Sequence, residues 1–265
     1  MLKDITLGQF FPGDSLIHKL DARTKLIALI IYIVALFQTK GWLSYGLLIA
    51  AAGGLMAVSK IGVKNIVKGL KPMLFIIILT GLLNIFYTQG TPILPGWVIT
   101  WEGLDRAAKM ILRISLLIAA TFLLTYTTSP MALTDGLELM LNPLKKIKLP
   151  VHEMTMMMSM ALRFIPTLIE ETDKIMSAQK ARGADFETGS LVKRAKALLP
   201  ILIPLFVSSL RRADELAIAM ESRCYHGGEG RTRMKQLRLE GRDYLSLIVS
   251  AAFLALIIVL KKFGF

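Results

Sequence analysis

Two short triplets, Ala181-Arg182-Gly183 and Ser222-Arg223-Cys224, each place an arginine between small side chains, 41 residues apart. A guanidinium offers up to five N–H donors in a planar fork, and small neighbours leave it free to enter a groove on another protein. A cation near a helix C-terminus also favours the macrodipole by about 0.3–1 kcal/mol with no partner at all. Spacing alone leaves both readings open. Upstream, Met154, Met156, Met157, Met158 and Met160 crowd five thioethers into seven residues. Flexible, polarizable methionine suits a surface that repacks against different partners, and it serves equally as core filler. Helical spacing spreads the five around the circumference, so some must face away from any one neighbour.

Other chemistry has little to work with. No G-x-x-x-x-G-K-[ST] occurs, so the chain lacks a P-loop for nucleotide hydrolysis. His18, His152 and His226 are far apart, and the single cysteine, Cys224, rules out a disulfide framework or a cysteine-rich metal site. No metal and no catalytic residue is expected. An intramembrane enzyme or an ion-coupled carrier places Asp, Glu or His inside its spans, and the uncharged runs have none. Arg113 is the nearest candidate, and it reads as a snorkelling cation.

The elements that position the triplets follow from composition. Of 265 residues, 54% are apolar and 19% charged, with 32 Lys+Arg against 19 Asp+Glu and a mean hydropathy of +0.57. A soluble domain carries about 45–50% apolar and about 25% charged residues, so this surface is built for a bilayer. The first 25 residues hold Asp4, Asp14 and Asp21 and no apolar core, unlike a cleavable signal peptide. Uncharged runs at 26–39, 41–59, 72–101, 114–134 and 244–260 predict an all-α integral membrane protein. About five transmembrane helices are expected, near 26–39, 42–59, 73–88, 108–128 and 244–260. Lys25 and Lys40 would snorkel at the ends of the first. Gly90, Pro92, Pro95 and Gly96 interrupt the 30-residue run, with Trp97 and Trp101 at the interface. Gly46, Ala50 and Gly54 form a row of small residues that permits close helix packing.

Lys60, Lys64, Lys68 and Lys71, with no acid among them, place the second loop and therefore the N-terminus on the cytoplasmic side. Residues 129–242 are then cytoplasmic too. Arg106, Lys109, Arg113, Lys261 and Lys262 run against that pattern, and the side of the C-terminus stays open. The net charge of +13 is spread over loops and is a topology signal, not a nucleic-acid footprint. The organisation expected is a membrane region 1–128, a cytoplasmic region 129–242 and a last span in 243–265.

Residues 129–242 are too charged to span and too apolar for a linker, and they read as long amphipathic helices. From Pro166 to Arg182, Leu168, Ile169, Thr172, Ile175, Met176 and Gln179 fall on one helical face. Glu170 and Lys174 stand four apart in the favoured order, and Gly183 is a helix stop. A second helix runs from about Leu191 to Arg223, bent by Pro200 and Pro204, with Gly227-Gly228 just beyond.

Phe11-Pro12-Gly13-Asp14-Ser15, followed by His18-Lys19-Leu20-Asp21-Ala22-Arg23-Thr24-Lys25, resembles the start of the transmembrane T component of energy-coupling-factor ABC transporters. The resemblance continues through Arg163-Phe164-Ile165-Pro166, Ala178-Gln179-Lys180-Ala181-Arg182-Gly183 and Ala219-Met220-Glu221-Ser222-Arg223. It covers nearly the whole chain. It implies that the amphipathic helices are coupling helices and that the triplets at Arg182 and Arg223 dock into grooves on two ABC-type ATPases. The family's second triplet is commonly Ala-Arg-Gly, and Cys224 departs from it. Pro12, Gly13, Asp21, Arg23, Lys25, Arg163 and Pro166 belong to the structural motifs, Asp21 favouring the helix start and the cations marking the inner face.

The resemblance further implies a non-catalytic scaffold in a prokaryotic plasma membrane. ATP and Mg would be bound by the partner ATPases, and a separate substrate-binding membrane subunit would deliver vitamins or other micronutrients. The methionine cluster is a candidate contact for that subunit. A self-sufficient secondary transporter and an integral-membrane enzyme are the rivals, and both suffer from the lack of acidic residues in the spans.

Overall fold

A computed structural model describes residues 10–92, 99–186, 188, 190–227 and 237–263. Among these residues the chain is helical, with α1 Ala22–Gln38, α2 Trp42–Ser59, α3 Val63–Leu70, α4 Leu74–Tyr87, α5 Trp101–Thr127, α6 Pro130–Leu141, α7 Val151–Ala181, α8 Leu191–Glu221 and α9 Gly241–Lys262. Extended pairing is confined to one isolated bridge, Pro92 with Thr100. The described residues separate into two compact units, 137–227 in one and 10–136 with 237–263 in the other.

The second unit is an all-α membrane bundle. Four helical stretches in it are long and apolar enough to cross a bilayer: Trp42–Ser59, Val63–Tyr87, Trp101–Thr127 and Gly241–Lys262. The 17 residues of α1 rise about 25 Å, a turn less than the hydrocarbon thickness. Its core joins Tyr32, Ala35 and Leu36 of α1 to Tyr45, Leu48 and Ala52 of α2, Leu116 of α5 and Ile257 of α9. A second cluster packs Ile61 and Ile66 on Ala119, Leu123 and Tyr126 of α5.

Polar contacts at the helix ends fix the directions. The Asp21 N–H donates to Asp243 Oδ1 (2.9 Å) where α1 and α9 begin, and Lys261 Nζ donates to Gln38 Oε1 where they end. These two helices therefore run parallel, and α9 ends at the end of the bundle opposite Asp21. Lys25 Nζ near the start of α1 reaches Thr127 O (2.9 Å) at the end of α5, while Arg113 Nη2, fourteen residues earlier on α5, reaches Thr39 O (3.3 Å) just past the end of α1, so α5 runs the other way. Trp42 Nε1 donates to Asp105 Oδ1 (2.7 Å), which makes α2 parallel to α5.

Several sequence expectations shift. Helix α5 starts at Trp101, seven residues before the expected 108, because Thr100 Oγ1 accepts the Gly103 N–H (3.1 Å) as its N-cap. Two of its three cations are engaged: Lys109 pairs with Asp105 (2.6 Å), and Arg113 covers the end of α1 with its guanidinium 5.7 Å from the Phe37 ring. Lys25 does not snorkel. It is buried, and its three N–H donors go to His18 O, Thr127 O and Thr128 Oγ1. Trp101 is exposed as expected of an interfacial ring, while Asp4, Pro95, Gly96, Trp97 and Gly228 lie outside the described residues. In the small-residue row on α2, no neighbouring helix among the described residues comes within 4 Å of a Cβ built at Gly46 or Gly54.

In the other unit, α7 and α8 are single helices of 31 residues, about 46 Å each. Helix α7 begins fifteen residues before Pro166, so the methionine cluster and the amphipathic run share one rod. Pro166, Pro200 and Pro204 lie in helix interiors, each removing one rung of the hydrogen-bond ladder. The start of α7 is tied to the end of α6 by His152 Nδ1 and Glu138 Oε1, 3.0 Å apart.

Candidate functional site

The six positions expected on one face of α7, from Leu168 to Gln179, are all half-buried, whereas Glu170, Lys174 and Lys180 are exposed. The matching stripe on α8 is Ala197, Ile201, Leu205, Ser208, Arg212, Leu216 and Met220, at steps of three and four. Two polar residues interrupt this apolar face. Glu171 on α7 meets both: Ser208 Oγ donates to Oε1 (2.5 Å) and Arg212 Nη2 to Oε2 (2.5 Å). Partly withdrawn from water, this clamp fixes where the rods cross. The i,i+4 pair that sequence spacing suggested, Glu170 with Lys174, forms no ion pair among the described residues. The carboxylate one position on carries the interhelical contact instead.

Beyond the crossing each rod runs eleven residues, about 16 Å, to its arginine: Glu171 to Arg182 and Arg212 to Arg223. The two ends are built alike. The Ala184 N–H bonds Gln179 O (3.0 Å) and the Gly183 N–H bonds Lys180 O (2.9 Å). The Tyr225 N–H bonds Met220 O (3.1 Å) and the Cys224 N–H bonds Glu221 O (2.8 Å). Both patterns are Schellman motifs with the arginine as the last residue before a left-handed one. That residue is Gly183 at φ 86° in the first and Cys224 at φ 58° in the second. The cysteine occupies a conformation that costs other L-residues roughly 1–2 kcal/mol, and it stays there because the capping bonds of the helix end require it.

Ala181, Arg182, Gly183, Ser222, Arg223 and Cys224 are all exposed. Among the described residues no side-chain hydrogen bond or ion pair involves either guanidinium. Each arginine thus sits at the negative end of a helix dipole, its donors unused and its backbone locked. Arg163 and Pro166 lie exposed on α7. Of the methionines, Met154, Met157 and Met158 are exposed and Met156 and Met160 half-buried. Helix α8 adds Leu199, Leu202, Ile203, Phe206, Val207 and Leu210, large apolar side chains left in the open after its stripe has met α7.

The N-terminal motif forms a different kind of site, a latch within the membrane bundle. Asp21 caps α1 by accepting the Arg23 N–H (2.9 Å), and its second oxygen takes Arg23 Nη2 (2.9 Å). Arg23 also donates to Leu237 O (3.2 Å), and Asp243 Oδ2 accepts the Glu240 N–H (2.9 Å) in a capping box that starts α9. Burial alone would raise the Asp21 carboxyl, but the Arg23 guanidinium and N–H outweigh it and hold the group below the ordinary carboxylate range. Pro12 and Gly13 sit in the irregular stretch before the turn at 16–19, where the Phe11 N–H bonds Tyr126 O (3.0 Å) and His18 closes over Gly13, 3.1 Å from a Cβ built there. Among the described residues no cluster of three or more His, Cys, Asp or Glu side chains could hold a metal ion.

The profile of the CbiQ family, described as cobalt transport protein, matches residues 13–234. A protein of Clostridium kluyveri named energy-coupling factor transporter transmembrane protein EcfT is 53% identical over 263 residues, covering 98% of this chain and 97% of its own. The protein of the same name from Ruminiclostridium cellulolyticum is 52% identical over 264 residues, 98% of both chains. That of Bacillus subtilis is 48% identical over 260 residues, 96% of this chain and 98% of the relative.

Proposed function

The chain belongs to the CbiQ family, as a transmembrane component of energy-coupling factor transporters, and from that membership we propose that it is the subunit that turns nucleotide-driven motion into uptake. In this reading two partner ABC-type ATPases bind ATP and Mg and hydrolyse the nucleotide, and the chain itself catalyses nothing. Arg182 enters a groove on one ATPase and Arg223 a groove on the other. When the ATPases approach each other they displace the two helix ends, and α7 and α8 carry the displacement as stiff rods braced at Glu171. The exposed apolar side chains of α8 and the exposed Met154, Met157 and Met158 take up a substrate-binding membrane subunit, which supplies the specificity for a vitamin or another micronutrient.

One observation carries the proposal: two separate helices end in the same capped geometry, each presenting an unpaired, exposed guanidinium at equal reach from a common crossing. A dipole-favouring cation needs no such duplication. Cells expressing Arg182→Ala with Arg223→Ala should lose uptake, and the purified chain should lose stoichiometric ATPase subunits while remaining in the membrane. Retained uptake in the double variant refutes docking through these residues. Substrate flux in vesicles holding this chain alone establishes the self-sufficient transporter instead.

A further inference from the structure

Helix α3 forms the first part of the spanning stretch Val63–Tyr87 and carries three distinct sectors around its axis. Ile66, Gly69 and Leu70 face α5: Ile66 is buried, and a Cβ at Gly69 would come within 2.6 Å of the Phe122 ring. Beside that packed sector Val63 and Val67 stand 62% and 58% exposed. Next around the helix come Lys64, Lys68 and Lys71 at i, i+4 and i+7, all exposed, with Lys60 at the preceding turn. Residues 60–71 contain no Asp or Glu, and among the described residues none of the four lysines forms an ion pair. Like charges four apart destabilise a helix, so this row persists against local repulsion.

From these observations we infer that Lys60, Lys64, Lys68 and Lys71 form a binding surface for the phosphate headgroups of anionic lipids, with Val63 and Val67 entering the acyl boundary beneath. Depth supports a lipid. The helical stretch Val63–Tyr87 rises about 37 Å against about 30 Å of hydrocarbon, and all its cations are at the α3 end, which places α3 among headgroups. Composition supports it too. Protein interfaces are depleted in Lys and enriched in Arg and aromatic residues, and residues 60–71 contain neither Arg nor an aromatic side chain. Exposed apolar residues beside a lysine row suit the boundary between the headgroups and acyl chains of an anionic membrane.

The full chain in nanodiscs of phosphatidylcholine, with and without phosphatidylglycerol, is treated with an amine-acetylating reagent, and each lysine is followed by mass spectrometry. Phosphatidylglycerol should slow acetylation of Lys64, Lys68 and Lys71 about fivefold, the effect of one favourable lysine–anionic surface contact, while the exposed Lys193 and Lys196 of α8 react unchanged. Spin-labelled phosphatidylglycerol should be immobilised by the wild-type chain and released by K64Q/K68Q/K71Q, with spin-labelled phosphatidylcholine unaffected. Equal acetylation in the two discs overturns the inference. So does protection that soluble glycerol phosphate gives equally well, which would mark a free-phosphate site. Protection that appears only when partner ATPases are added to phosphatidylcholine discs also overturns it, in favour of a protein contact.

Discussion

Replacing Glu171 by alanine should disconnect the two rods without touching either tip. The substitution removes two cross-helix hydrogen bonds of 2.5 Å, one of them an ion pair whose side chains are 31% and 21% exposed. A hydrogen bond to a charged group contributes about 1.5–3 kcal/mol when buried, and partial exposure places this clamp near the lower end, about 1.5–2 kcal/mol. At about 1.4 kcal/mol per decade, the closed crossing should lose between tenfold and thirtyfold in population relative to splayed arrangements. The sole cysteine, Cys224, is exposed one residue from Arg223, and Ala181→Cys gives its counterpart beside Arg182. Spin labels at the two sites report the tip separation by pulsed electron resonance. The wild-type distribution should be narrow and that of Glu171→Ala broad. Arg212→Ala, which keeps the Ser208 bond, should broaden it less, and the double variant should be no worse than Glu171→Ala alone, since that substitution already removes the Arg212 interaction. Both ATPases should still co-purify while uptake falls about tenfold. An unchanged distance distribution in Glu171→Ala, or additive effects in the double variant, refutes the clamp.

At the rod ends, Gly183→Ala should cost about 1 kcal/mol, because nothing lies within 4 Å of the new Cβ and the left-handed backbone alone penalises it, whereas Cys224→Gly should gain up to about 1 kcal/mol. Hydrogen exchange at the Ala184 and Tyr225 amides should move in opposite directions, and shifts of the same sign refute the shared geometry. In the bundle, Gly103→Ala should cost about 1–3 kcal/mol, since its Cβ would meet Thr100 Oγ1 at 2.8 Å and Ile85 O at 3.0 Å, while Gly46→Ala should be neutral or stabilising in thermal unfolding. Asp21 is held below its ordinary value of 3.8, so its stabilising effect is fully present above about pH 4 and is lost as the pH falls through the depressed folded value. Asp21→Asn should therefore lower the melting temperature at neutral pH by the loss of the Arg23 pair, and flatten the decline below pH 4. An acid limb identical in the variant shows that other carboxylates set it.

Much of the architecture is legible in the chain because burial in lipid and in a helix pair both leave a period. The uncharged runs locate the spans, and Leu168 through Gln179 mark the face of α7 that meets α8. What escaped the sequence is polar and long-range. Glu171 sits among charged neighbours and carries no sign that Ser208 and Arg212, 37 and 41 residues on, converge upon it. The only trace is the polar break in the α8 stripe. Lys25 reads as an interfacial cation because a lysine beside an apolar run usually is one, and only the fold brings Thr127 and Thr128 to its ammonium. The start of α5 lies seven residues before the expected 108 because the residues up to 105 read as an outer loop, and the Thr100 cap that begins the helix there leaves no apolar period to read. Cys224 was legible as a departure from glycine, but its left-handed backbone was not.

The hydrogen bond from Asp21 to Asp243 joins residues 222 positions apart, and this has a consequence for biosynthesis. While the polypeptide is emerging, the groove beside α1 lacks its native occupant until α9 is made, more than two hundred residues after its neighbour entered the lipid. Every intermediate of translation is an open bundle with an unfilled slot, so a foreign apolar segment could lodge there first. Synthesis of α9 is the moment at which the slot closes, and a stop before it yields a bundle that never shuts.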